Sequence, residues 1–329
     1  MIRTPLASAT GAVSPTANGG GALLVVGKRP LAEGVVEFTF ARPDGSRLPD
    51  WAPGAHIDVV LPDGAIRQYS LCGDRWDPLT YRIAVQREPQ GRGGSAALHH
   101  EVNEGDILGF GGPRNNFRLA PAVSYLFVAG GIGITPILPM IRQAEVLDVP
   151  WRLLYLGRSR DRLAYLSELD PHGDRVHFQF ADEAGRADLS VWRPEDPLTR
   201  VYACGPERLL DEVESWAASG AGLPPRTERF TASAAALSGP SMPFQVHAAR
   251  SGITETVDPG ESIIVALRRG GVDILSSCAQ GVCGTCETAV LEGSPDHRDT
   301  LLDDRERAEG TCMFPCVSRC LGDRIVLDL

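Results

Sequence analysis

The chain has 329 residues, 43% of them apolar, with 42 acidic against 32 basic side chains and a net charge of −10. That length suffices for two or three domains with ordinary cores, and the acidic balance argues against nucleic acid and anionic membrane as partners. The nearly uncharged run from Leu119 to Ile141 is interrupted by Pro121, Gly130, Gly131, Gly133, Pro136 and Pro139, so it does not read as a spanning helix, and a cytoplasmic protein is expected.

Residues 1–21 are rich in Ala, Thr, Ser and Gly without a continuous apolar run, which predicts a disordered tail rather than a signal peptide. Residues 22–120 then carry short β-branched or alternating runs: Leu23–Val26, Val35–Phe40, His56–Leu61, Gln68–Leu71, Tyr81–Gln86 and Asp106–Phe110. Asp44-Gly45, Pro53-Gly54 and Pro62-Asp63-Gly64 punctuate them as tight reversals. Six strands at this spacing predict an antiparallel β-barrel.

Two segments of this barrel can carry chemistry. In Arg67-Gln68-Tyr69-Ser70, strand alternation puts Arg67 and Tyr69 on one side and Ser70 on the other. A guanidinium can hold a phosphate, and an aromatic ring can cover a planar cofactor. Gly91-Arg92-Gly93-Gly94-Ser95 runs into Ala96–His100 as a glycine turn opening a helix, where free amides and the Ser95 hydroxyl form a phosphate site. An ordinary strand and loop explain either segment alone; their co-occurrence favours the functional reading.

From residue 121 to 231 strands alternate with helices, which predicts an α/β parallel sheet with ligand beyond the strand carboxyl ends. The strands are Tyr125–Ala129, Trp151–Leu156, Val176–Phe180 and Arg200–Ala203, with helical stretches expected after Pro136, at Arg162–Leu169 and at Glu207–Ser219. Gly130-Gly131-Ile132-Gly133 would let a pyrophosphate approach backbone amides at a helix start, although it is not the G-x-G-x-x-G fingerprint. The last strand ends in Cys204-Gly205-Pro206, leaving a small thiol at the carboxyl edge where a nicotinamide would lie; packing is the plainer explanation of such a cysteine. Arg158, Ser159 and Arg160 could clamp a 2'-phosphate, whereas Asp182, after the next strand, would repel one.

Residues 232–241 read as a small-residue linker, and residues 242–329 as a compact α+β sheet with one helix wrapping a cysteine loop. This last part is the acidic end, with 14 Asp and Glu against 8 Arg. Cys278, Cys283 and Cys286 form C-x4-C-x2-C, and with Cys316 they have the ligand spacing of a plant-type 2Fe-2S cluster. Gly281 and Gly284 stand where such a loop must turn. Zinc favours paired C-x2-C knuckles, of which there is one. Disulfides do not suit a chain read as lacking a secretory segment. Cys312 and Cys320 flank Cys316 at four residues on either side, so the fourth ligand stays open.

The order Arg67-x-Tyr69-Ser70, Gly93-Gly94-Ser95, Gly130-Gly131-Ile132-Gly133-Ile134-Thr135-Pro136, Cys204-Gly205-Pro206, Glu228-Arg229-Phe230 and the C-terminal cysteine pattern resembles the phthalate dioxygenase reductase family, over nearly all the chain after Gly21. The resemblance implies three domains: an antiparallel β-barrel flavin domain, an α/β parallel-sheet nucleotide domain and an α+β β-grasp ferredoxin domain. It implies FMN, NADH and a 2Fe-2S cluster as cofactors. Arg67, Gln68, Gly93, Gly94 and Ser95 would line the FMN, with Arg67 and Ser95 on its phosphate, Tyr69 against its ring and Ser70 near N5. Gly131, Gly133 and Thr135 would face the NADH pyrophosphate, Arg158, Ser159 and Asp182 its adenosine end, and Cys204, Gly205 and Pro206 its nicotinamide. Phe230 would cover the flavin face that the nicotinamide must occupy. The implied function is electron transfer from NADH through FMN and the cluster to a Rieske-type oxygenase of an aromatic-acid or O-demethylating system. A cytochrome P450 partner is the alternative, and a redox-sensing iron-sulfur module is the alternative of another class.

Overall fold

The computed structural model describes residues 21–218, 222–231, 239 and 241–329. The expected tail, apart from Gly21, and the body of the expected linker lie outside them. Strands β1 (Ala22–Ala32), β2 (Val35–Ala41), β3 (His56–Val60), β4 (Ile66–Ser70), β5 (Thr80–Gln86) and β6 (Ile107–Arg114) form one antiparallel sheet in the order β4-β3-β6-β1-β2-β5. The segment after β4 brings the two edges together, the Cys72 amide donating to the Arg82 carbonyl of β5 (2.9 Å). Alternation points Phe38 and Phe40 inward from β2, where their rings stack at 6.0 Å over a core shared with Ile57, Ile83 and Phe110.

β1 runs six residues beyond its expected end, through Pro30. Only Ala22–Leu24 pair with β6, so the later part of β1 is laddered on the β2 side alone, and register shifts next to Gly27 and Pro30 absorb the proline. Helix α1 (Gly94–His100) follows the glycine turn and buries Leu98.

The second sheet holds β7 (Tyr125–Gly130), β8 (Trp151–Gly157), β9 (Val176–Phe180), β10 (Arg200–Cys204) and β11 (Arg226–Glu228), all parallel, in the order β11-β10-β7-β8-β9. Every residue of β7 is buried, as a central strand covered on both faces requires. Helix α2 (Ile134–Val146) takes Pro136 in its first turn, where no N–H is needed, and Pro139 further in. The helix expected over Arg162–Leu169 is largely absent: Tyr165 adopts φ 62°, the left-handed region, and only α3 (Leu166–Leu169) forms beyond it. Helices α4 (Ala181–Ala184) and α5 (Glu207–Ala218) complete this part. Strand β11 was not anticipated, since three residues carry too little periodicity to read. Val35, Cys72 and Ala84 of the first sheet share one core with Phe127, Ile137 and Tyr155 of the second.

The third sheet takes β12 (Phe244–Ala248), β13 (Ile253–Val257), β14 (Thr288–Glu292), β16 (Cys312–Met313) and β18 (Arg324–Leu327) in the order β13-β12-β18-β14-β16, with β15 (Pro295–Asp296) and β17 (Arg319–Cys320) as a separate pair. Helix α6 (Ile263–Arg269) is capped by Ser262 Oγ, which accepts from the Val265 amide (3.3 Å), and ends on Arg268 and Arg269, favourable at a helix C-terminus. A second helix, α7 (Asp304–Glu309), replaces the single one expected. Its Asp303 and Glu306 form a reciprocal capping box. Among the described residues no helix is long and apolar enough to cross a membrane.

Candidate functional site

Residues 276–286 wrap a pocket of thiols. Cys278, Cys283 and Cys286 are buried, and Cys316 arrives half-buried from the loop after β16. Gly281 and Gly284 hold φ of 68° and 77°, and a Cβ on Gly281 would lie 2.6 Å from Val317 Cγ2, so the expected turns need glycine for both conformation and room. The thiols lie beside one another, Cys283 next to Cys278 and Cys316 next to both Cys278 and Cys286. The amides of Gln280 and Thr285 point at Cys278 and Cys283 sulfur (3.2 and 3.4 Å).

This donor set fits a 2Fe-2S cluster, in which four thiolates are shared by two irons. Among the described residues no three ligating side chains close on a single metal ion. Carrying protons, the thiols are poor ligands: the bond to Cys278 and burial push Cys283 up, and Cys316 is pushed up to about 12, its bond to Cys278 lowering it less than the bond to Cys286 and burial raise it. Iron must therefore displace those protons. Cys320 turns away, its thiol bonding the Arg324 carbonyl (3.3 Å). Cys312 sits in β16, its thiol raised by burial.

On β4, the Arg67 guanidinium bonds the Ile66 and Arg92 carbonyls (2.8 and 3.1 Å) and lies across the Gly93-Gly94 turn. A Cβ on Gly94 would come within 2.6 Å of Arg67 Nε, so this glycine makes a cradle that an alanine would fill. Ser95 Oγ accepts from the Glu88 amide (2.9 Å), and its O–H remains free to donate. Arg67, Gly93, Gly94 and Ser95 thus meet as expected and fit a phosphate. Burial pushes the Tyr69 phenol above its ordinary value. Ser70 is buried opposite His56, whose imidazole burial and Arg114 push down to about 4.

Gln68 points elsewhere. Its amide donates to Asp58 Oδ1 (3.0 Å) and Ser277 Oγ (3.1 Å), so it joins β4 to the thiol loop. Arg92 and Asn116 reach the same loop, donating to the Cys278 and Cys283 carbonyls (3.0 and 2.9 Å). Asp58, Asn116 and Ser277 were not singled out in the sequence. The one signal was a lone carboxylate within the apolar run of β3.

In the second sheet the two glycine turns press together: a Cβ on Gly133 would lie 2.1 Å from the Cys204 carbonyl, and one on Gly205 would lie 3.0 Å from Gly130. Gly131 keeps φ 54°, and a Cβ there would come no closer than 3.8 Å, to Gln86 Oε1. Thr135 is buried and its hydroxyl donates to the Ile132 carbonyl (3.0 Å), so it braces the turn. Pro206 is exposed beside the turn. Arg158 and Asp182 are exposed neighbours joined through backbone (3.0 Å), and the Ser159 hydroxyl is taken by Asp161. Arg160 stacks over Phe180 at 4.7 Å.

β11 sets Glu228 in register with Cys204, Oε2 4.0 Å from Sγ. Burial raises both groups: the thiol stays far above its ordinary value, and Glu228 is pushed up to about 8. Arg229 pins the segment through Asp211 and Glu214 of α5 (2.8 Å each), and Phe230 beyond it is 41% exposed.

The 2Fe-2S iron-sulfur cluster binding domain family matches residues 246–321. The phenoxybenzoate dioxygenase subunit beta of Ectopseudomonas oleovorans is 44% identical over 91% of this chain and 94% of its own length. An intact type IV self-sufficient cytochrome P450 monooxygenase matches in structure with TM-score 0.87 and 39% identity over 94% of this chain, which spans 41% of that longer protein. Phthalate dioxygenase reductase, whose structure is described as modular, for electron transfer from pyridine nucleotides to a 2Fe-2S cluster, matches with TM-score 0.69 and 36% identity over 94% of this chain and 98% of its own. The chain therefore belongs to the phthalate dioxygenase reductase family and is an NADH-dependent flavin and iron-sulfur oxidoreductase, with FMN, a 2Fe-2S cluster and NADH as its cofactors.

Proposed function

We propose that this protein is the reductase component of a Rieske-type oxygenase system that acts on an aromatic acid or removes an O-methyl group. Its parts are read as a flavin barrel, a nucleotide domain and a β-grasp ferredoxin domain. The observation that carries this reading is the bond from Gln68 to Ser277 (3.1 Å), which joins the residue before Tyr69 to the residue before Cys278. Strand and loop are in direct contact, as passage of electrons between their cofactors requires.

FMN, when bound, takes two electrons together from NADH and releases them singly to a one-electron carrier. The chain supplies position and electrostatics. Arg67, Ser95 and the Gly93-Gly94 amides would hold the phosphate, Tyr69 would cover the ring, and Ser70 would offer it a hydroxyl. Gly131 and Gly133 give the pyrophosphate a close approach while Thr135 braces their turn, and Gly205 and Pro206 shape the nicotinamide edge. There Cys204 stays a neutral thiol and Glu228 keeps its proton near neutral pH. Arg158, Ser159 and Asp182 meet the adenosine end, and Phe230 yields its place to the nicotinamide. Cys278, Cys283, Cys286 and Cys316 ligate the irons.

The test is reconstitution with purified oxygenase components. NADH consumption coupled to product with a Rieske oxygenase supports the proposal, and coupling only with a P450 overturns it. The P450 reading is favoured by the close match to the self-sufficient P450 monooxygenase. A protein that fails to reduce an artificial acceptor with NADH would instead be a redox-sensing module.

A further inference from the structure

Asp58 sits at the centre of β3 and is 2% exposed, flanked by Ile57 and Val59, which are fully buried. A carboxylate in such a place is strongly unfavourable unless it is paired and hydrogen-bonded. Its partners come from three directions. Arg114 Nη2 of β6 meets Oδ2 at 2.5 Å, while Gln68 Nε2 of β4 and Ser277 Oγ of the thiol loop meet Oδ1 at 3.0 and 2.9 Å. Gln68 also donates to Ser277 Oγ (3.1 Å), closing a triangle in which the Ser277 hydroxyl donates to one partner and accepts from the other.

The flanking contacts of the loop are single bonds to backbone carbonyls, from Arg92 to Cys278 and from Asn116 to Cys283. Among the described residues, Asp58 is where a buried charge loses a partner when the loop lifts. Losing a hydrogen bond to a buried charge carries the desolvation cost of that charge, so departure of the loop is opposed more strongly there than at a solvated contact.

We propose that Asp58 is a positioning residue that clamps the thiol loop to β4 through Ser277 and so fixes the separation of the flavin and the cluster. This rests on the preceding reading that β4 holds the flavin and residues 278–286 hold irons. Arg114 keeps the carboxylate in place, Gln68 orients Ser277, and Ser277 carries the constraint to the adjacent Cys278.

The experiment uses the holoprotein with Asp58→Ala, Asp58→Asn and Ser277→Ala. Hydrogen exchange is followed at the amides of residues 276–286, and rapid mixing with NADH follows flavin and cluster bleaching separately. In Asp58→Ala the loop amides should exchange faster and cluster bleaching should slow severalfold, because tunnelling weakens as the separation grows, while flavin bleaching stays within about twofold. Ser277→Ala should move both readouts the same way. The double variant should be no slower than Asp58→Ala alone, because the two changes break one contact. Asp58→Asn, which keeps an acceptor for Ser277, should fall between parent and Asp58→Ala. Unchanged loop exchange and cluster bleaching in both alanine variants overturn the proposal. So does equal slowing of both bleaching phases, which would make Asp58 a support of the flavin domain only. A parent protein whose cluster is never reduced by NADH would count against the proposed function, and loop exchange would still decide the clamp.

Discussion

Cys204 and Glu228 face each other across adjacent parallel strands with sulfur 4.0 Å from the carboxyl oxygen, because β10 and β11 bring them into register. Burial lifts the Glu228 carboxyl from its ordinary 4.5 to about 8. A carboxyl raised in this way binds its proton more tightly in the folded chain. Its contribution is fully present below about pH 4.5 and is lost as pH rises through about 8. Glu228→Gln cannot titrate, so the melting temperature of the parent relative to this variant should fall between about pH 5 and about pH 9, by the equivalent of about 4 kcal/mol. A difference that stays flat across this range would mean that the carboxylate is solvated.

Replacing Cys278, Cys283, Cys286 or Cys316 with Ser should remove the cluster's visible and paramagnetic signals or weaken them severely, since a cluster of this type takes four thiolates. Cys72→Ser, Cys204→Ser and Cys320→Ser should keep the signals. Iron and sulfide analysis checks the count, and a full cluster in Cys316→Ser would transfer the fourth position to Cys312 or Cys320.

Gly94→Ala should weaken FMN binding by about tenfold, equivalent to about 1.4 kcal/mol. The new methyl would stand 2.6 Å from Arg67 Nε and push the guanidinium off the phosphate position. The protein without FMN should not be destabilised, because alanine is the better helix former by about 1 kcal/mol. Fluorescence titration with FMN beside a thermal melt separates the two effects, and a fall in melting temperature with unchanged affinity would contradict the expectation.

Phe230→Ala should alter NADH affinity and the rate of flavin reduction by about tenfold while the melting temperature moves by no more than about 2 °C. A ring 41% exposed buries too little to hold domains together, whereas a ring covering the flavin face must be displaced before the nicotinamide enters. Stopped-flow reduction by NADH and by NADPH, with a melt, decides it. Parent-like kinetics with a lowered melting temperature would make Phe230 packing.

Much of this protein was legible in one dimension. The β-branched runs of the first sheet and the apolar strands ending at Gly130 and Cys204 follow from local periodicity and turn chemistry, so they read correctly to within a few residues, apart from the long β1. The C-x4-C-x2-C loop was legible because three of its ligands lie within nine residues, and Gly281 and Gly284 stand where the backbone must take positive φ.

What tertiary structure alone decided involves partners far apart in the chain. Nothing local in Asp58 announces Ser277, which lies 219 residues away, or marks Gln68 as facing the thiol loop when its strand neighbour Arg67 lies across the Gly93-Gly94 turn. Nothing local in Glu228 announces Cys204: a three-residue strand forms only because β10 offers its free edge. Tyr165 breaks a helix that its neighbours favour, because its hydroxyl is taken by buried Glu37 (2.8 Å) and bonds Cys72 in the segment after β4 (3.2 Å). Propensity and spacing act over a few residues. The energy of an unpaired buried charge or hydroxyl is settled only when the chain has folded back on itself, and that is where the contact between β4 and the thiol loop was decided.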